Sequence, residues 1–161
     1  MPQAVALRLL IYGSLVVALA LAVAPLPDWA LSYRPLWIPL TVLYWLVTSP
    51  QKCNLGTAWV AGLLFDALRG GILGQHALAI VIVGYVTLKL HRQFPLFSVV
   101  QQTVLISLGL ALYLGLAMWI ESIGGNTPDL ALYWRPLLTS VLLWPWLSAV
   151  LSALQRRFGH T

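Results

Sequence analysis

Apolar residues run along this chain in long blocks that do not alternate with period two, and short polar or proline-containing breaks separate them. The bilayer core is about 30 Å thick and takes roughly 20 apolar residues per helical crossing. The six blocks predict helices over about 7–25, 35–49, 54–69, 72–90, 97–120 and 136–154. Without barrel-length alternation, helices are favoured over a β-barrel.

The breaks have local causes. Pro25 and Pro27 end the first block, Arg34-Pro35 opens the second and Ser49-Pro50 closes it, because proline lacks a backbone donor and cannot continue a helix. Gln51-Lys52-Cys53-Asn54 leads into the third block, and Arg69-Gly70-Gly71 separates it from the fourth. Lys89, His91, Arg92 and Pro95 mark the end of the fourth, and the longest connection holds Gly124-Gly125-Asn126 and Pro128. The second block is short and contains Pro39, so Tyr33 and Trp37 are expected to extend it into the headgroup region. The first block ends in Ala22-Val23-Ala24, like a cleavable signal, but Pro25 is a poor residue for cleavage and further blocks follow. It reads as a retained helix.

Composition strengthens this picture. The chain is 60% hydrophobic and 8% charged, with a mean hydropathy of +0.88, whereas ordinary globular chains are about a quarter charged. The fold class expected is an all-α integral membrane protein, a compact bundle of six transmembrane helices forming one domain over 1–161. The net charge of +5 comes from basic residues placed singly at block ends, as topology determinants are. No basic stripe with interleaved aromatics points to nucleic acid. With the N-terminus inside, Arg8, Lys52, Lys89, Arg92, Arg156 and Arg157 are cytoplasmic, whereas Arg34, Arg69 and Arg135 are outside. Both termini are therefore expected in the cytoplasm. Trp29, Tyr33, Trp37, Trp119, Tyr133 and Trp134 then form an outer aromatic belt.

Asp66 is the carboxylate inside an apolar block, and an ionisable group within a membrane helix is a candidate site by its energetic cost alone. Gly62, Asp66 and Gly70 recur at i, i+4 and i+8, giving a small-residue face that a second helix can approach closely. With Arg69 and Gly74 they form the candidate partner or helix-packing site. Three readings stay open for Asp66: an ion pair with Arg69 or a cap on the following turn, a packing or partner-docking acid, and a proton- or substrate-handling group. Trp144-Pro145-Trp146 interrupts the last block and is a candidate kink or pocket wall. Glu121 reads as a solvated boundary residue, and His76 and His91 are not spaced as metal ligands. The scattered serines lack a linked His/Asp arrangement, and no phosphate-cradling glycine motif occurs, so no catalytic, cofactor or metal site is expected. Cys53 is the single cysteine, which excludes an internal disulfide.

The chain resembles the MreD family of bacterial rod shape-determining membrane proteins over nearly its whole length. The resemblance rests on Arg34-Pro35-Leu36-Trp37, Leu43-Tyr44-Trp45, Asn54-Leu55-Gly56-Thr57, Gly62-Leu63-Leu64-Phe65-Asp66-Ala67-Leu68, Gly70-Gly71-Ile72-Leu73-Gly74, Ala77-Leu78 and Leu143-Trp144-Pro145-Trp146. It implies a non-catalytic inner-membrane component of the cell-wall elongation machinery that acts with MreC, MreB, and the RodA polymerase with its penicillin-binding transpeptidase. It also implies similarity to the six-helix substrate-binding subunits of energy-coupling-factor transporters. The alternative is a small-ligand-binding or transport subunit with a pocket near Asp66, Trp144 and Trp146.

Overall fold

The computed structural model describes residues 2–31, 33–70, 72–125 and 129–159. Of the residues marked above as breaks, Gly71, Asn126 and Pro128 lie outside the described residues, as does the side chain of Tyr133. Among the described residues seven α-helices follow one another: α1 (Pro2–Val23), α2 (Asp28–Leu31), α3 (Trp37–Thr48), α4 (Leu55–Arg69), α5 (Gln75–Lys89), α6 (Val99–Ile123) and α7 (Leu130–Gly159). A 3₁₀ turn, Phe94–Leu96, joins α5 to α6, and no strand occurs among the described residues.

Among the described residues, three stretches are long and apolar enough to cross a bilayer: Ala4–Val23, Val99–Ile123 and Trp134–Arg157, with mean hydropathies of 2.2, 2.1 and 1.8. The helices between them are shorter. At 1.5 Å per residue, the 12 residues of α3 span about 18 Å and the 15 of α4 and of α5 about 22 Å, less than the hydrocarbon thickness.

Helix α7 begins six residues before the start expected from Pro136 and contains both Pro136 and Pro145. A proline inside a helix removes one donor. For Pro136 this leaves the Leu132 carbonyl without its usual partner and for Pro145 the Val141 carbonyl. Ser140 and Ser148 back-bond to the two proline carbonyls at 2.7 and 3.0 Å, and α7 runs on through both positions.

Helix α3 is central. Every residue from Ile38 to Val47 is buried, and the helix touches α1, α4, α5, α6 and α7. A helix that is apolar on all sides belongs in such a position. Helix α1 contributes the stripe Ile11, Leu15, Ala18 and Ala22, while Val5, Leu9, Tyr12 and Val16 on its other face are exposed. Both faces are apolar, as expected of a helix lying between protein and lipid. The buried Trp45 indole donates to Ser14 Oγ at 2.8 Å, and that hydroxyl donates to the Ile11 carbonyl at 2.7 Å, joining α3 to α1.

Polar contacts gather at the two ends of the bundle. At one end the Tyr44 hydroxyl meets Ser152 Oγ at 2.9 Å and donates to Gln155 at 3.2 Å, binding α3 to α7. The connection from α3 to α4 buries Cys53, and burial pushes its thiol up to about 11. The other end holds Asp66.

Candidate functional site

The local sequence explains how the Asp66 end is built. The Asn54 side chain caps the start of α4 by accepting from the Thr57 amide at 3.1 Å. Gly70 ends the helix at φ +73°, and its amide donates to the Asp66 carbonyl at 3.1 Å. Gly74 then opens α5 at φ +95°. Both angles lie where a Cβ is strongly disfavoured. The two glycines turn the chain so that α5 packs back along α4.

Gly62 sets how closely the two helices approach. A Cβ at this position would lie 2.4 Å from the Ala77 Cα, a separation no side chain tolerates. The small-residue face legible on α4 is thus covered at Gly62 by α5 of the same chain. Gly70 has open space around it and acts through its backbone angle.

Close approach brings Asp66 under the first turn of α5. A helix begins with amides that lack intrahelical partners, and Gly74 at the cap position has no side chain to offer them. Asp66 Oδ2 accepts from the amides of Gly74 at 3.0 Å and Ala77 at 3.3 Å, and Oδ1 accepts from the His76 amide at 3.1 Å. The carboxylate is 2% exposed. It is a cap supplied across the turn from another helix, and its charge sits at the positive end of the α5 dipole.

His76 completes the cluster. Its Nδ1 lies 2.7 Å from Asp66 Oδ1, and its Nε2 lies 3.2 Å from Arg69 Nη1. Guanidinium can only donate, so Nε2 accepts and the ring proton resides on Nδ1, which donates to Asp66. The ring packs edge-on against Phe65 at 4.9 Å, and the Arg69 guanidinium lies 5.5 Å from the Phe65 centroid. Arg69 therefore reaches Asp66 through His76. The acceptor capacity of the carboxylate is filled by α5 donors, an arrangement that fixes a helix–turn–helix unit.

Two further helix ends are held in the same manner. The Arg34 guanidinium donates to the carbonyls of Ala22 and Ala24 at the end of α1. The Leu36 amide, at the start of α3, donates to Ser140 Oγ of α7 at 2.8 Å. Gln75 adds a bond from its side chain to the Ala117 carbonyl of α6 at 3.0 Å.

The structure brings Gly62, Asp66, Arg69 and Gly74 together around the start of α5 and does not bring Trp144 or Trp146 to them. Trp144 is buried against Tyr44 and Phe94, at ring separations of 6.2 Å each, and its indole nitrogen is buried without a partner among the described residues. Trp146 is exposed. Asp66, Trp144 and Trp146 border three separate cavities, of about 380, 570 and 490 Å³. Sequence reasoning missed His76, Arg34 and Ser140 as organising residues. The available signal for His76 was a polar ring in the first turn of an apolar helix, directly after the glycine turn.

A model of the rod shape-determining protein MreD family matches residues 3–154. The chain belongs to the MreD family. A relative in Haemophilus influenzae, the rod shape-determining protein MreD, is 28% identical over 145 residues, covering 88% of each chain. No solved structure matches. Family membership makes the chain a membrane protein of the bacterial shape-determining system, in agreement with its three long apolar helices.

Proposed function

We propose that this protein is a non-catalytic scaffold of the cell-wall elongation complex in the bacterial inner membrane, binding MreC through its helix faces and helping to regulate the peptidoglycan synthase that maintains rod shape. In this reading α3, α4 and α5 join the three long helices as membrane spans. The result is a six-helix bundle similar to the substrate-binding subunits of energy-coupling-factor transporters. Both termini lie in the cytoplasm, and MreB, RodA and the penicillin-binding transpeptidase belong to the wider assembly.

The observation that carries the reading, beside family membership, is the use made of the polar groups among the helices. Asp66, His76, Arg34, Ser140 and Ser14 each bond to helix ends or side chains of the same chain. Such bonds rigidify a bundle and leave broad apolar outer faces for other helices, where association in lipid depends on packing. The hairpin built by Gly62, Asp66, Arg69, Gly70 and Gly74 is then a rigid element offered to MreC. Purification of the chain from membranes is expected to recover MreC, and its depletion to round the cells. Recovery of folded chain free of MreC, with normal rods on depletion, overturns the proposal.

A further inference from the structure

A cavity of about 430 Å³ lies where the end of α1, the start of α3 and the end of α4 meet. Two arginines border it. Arg34 is anchored over the end of α1 by its two terminal nitrogens, while its Nε is buried without a partner among the described residues. Arg69 is braced by His76 and Phe65. No carboxylate among the described residues forms an ion pair with either. Arg69 also borders the neighbouring cavity, where Glu121 and Asp66 lie, and neither carboxylate borders this one. Asp66 meets Arg69 through the His76 ring and already faces the start of α5.

The walls are of a different character. Trp37 and Phe65 line the cavity, and Val23 and Leu68 at its rim are 41% and 57% exposed. Two pre-positioned cations thus stand beside an open apolar rim. Guanidinium donors match phosphate oxygens in charge and geometry; Arg69 keeps donors beyond the one that meets His76, while Arg34, its terminal nitrogens bonded to α1, adds chiefly its charge. Basic pockets between membrane helices are suited to lipid headgroups. A free phosphate offers the same headgroup chemistry but gains nothing from Val23 and Leu68.

We propose that this cavity binds the phosphate group of a membrane amphiphile, which meets Arg34 and Arg69 while its hydrocarbon lies along Val23 and Leu68. The test is a titration of the detergent-purified full chain, read by native mass spectrometry and Trp fluorescence, with short-chain phosphatidylglycerol, the matching diacylglycerol and inorganic phosphate. Phosphatidylglycerol is expected to saturate at one per chain, with diacylglycerol binding about tenfold more weakly and inorganic phosphate more weakly still, in line with the loss of charge-assisted bonds or of apolar contact. Arg69→Gln and Arg34→Lys are each expected to weaken phosphatidylglycerol about tenfold, and Arg92→Gln, away from the cavity, to leave it unchanged. Arg34→Lys retains a cation at the α1 terminus, and Arg69→Lys serves as a second variant if Arg69→Gln does not fold. Equal binding of diacylglycerol, or unchanged affinity in the Arg69 variant, overturns the site. Inorganic phosphate binding as tightly as the lipid overturns the amphiphile as its occupant.

Discussion

Replacing Asp66 with asparagine isolates the role of the carboxylate with almost no change in volume. In the native cluster its two oxygens face the amides of Gly74, His76 and Ala77 and the Nδ1 of His76, all donors. Asparagine has one carbonyl oxygen and one amino group. If the oxygen stays toward His76, the amino group confronts the Gly74 and Ala77 amides. If the side chain flips, it confronts the ring Nδ1, and moving the ring proton to Nε2 would set a donor against Arg69. Each arrangement orphans at least one buried donor, at about 1–3 kcal/mol, and weakens charge-assisted bonds otherwise worth about 1.5–3 kcal/mol each. Asp66→Asn is therefore expected to destabilise by roughly 2–4 kcal/mol, and Asp66→Ala by roughly 3–5 kcal/mol, because several buried donors lose their acceptor at once. That is a large share of a typical total of about 5–15 kcal/mol. Unfolding of the detergent-purified protein followed by helicity measures the loss, and hydrogen exchange at the His76 and Ala77 amides locates it. Native stability with unchanged protection in Asp66→Asn refutes the capping argument. If that variant also lost rod shape, a proton- or substrate-handling role would take its place.

Gly62→Leu is expected to prevent accumulation of folded protein, checked by membrane abundance, because even a methyl group would clash with the Ala77 backbone. Gly70→Ala and Gly74→Ala are each expected to cost about 1–2 kcal/mol from left-handed backbone strain with no steric clash, measured by the same unfolding assay. Ser14→Ala removes the acceptor of the buried Trp45 indole and is expected to cost about 1–3 kcal/mol, with a change in Trp fluorescence. Cys53, its thiol pushed up to about 11, holds only about one thiolate in a thousand near pH 8, against roughly a quarter for a free thiol. Maleimide labelling should be over a hundredfold slower in the folded protein than after unfolding, and it should accelerate as pH rises toward the raised value.

The one-dimensional pattern determined the helical class, the membrane setting and the positions of most helices, because blocks of apolar residues broken by proline, glycine and charge report hydrogen bonding and burial locally. It also singled out Asp66, since a lone carboxylate in an apolar block stands out whatever its neighbours. Family membership was legible as well, in the order and spacing of motifs around Gly62, Asp66 and Gly74. Tertiary structure alone decided what those residues do. Helical spacing put Gly70 on one face with Gly62 and Asp66, yet Gly70 lies just beyond the helix and makes the turn that returns α5 to it. The partners of Asp66 are backbone amides, which carry no sequence signal, and a ring ten residues on. Likewise, α3 and α1 are both apolar on all sides, and α3 is the one surrounded by other helices. A stretch that is apolar all round reads the same whether its neighbours are lipid or protein, so only the packing distinguishes the core helix from the outer one.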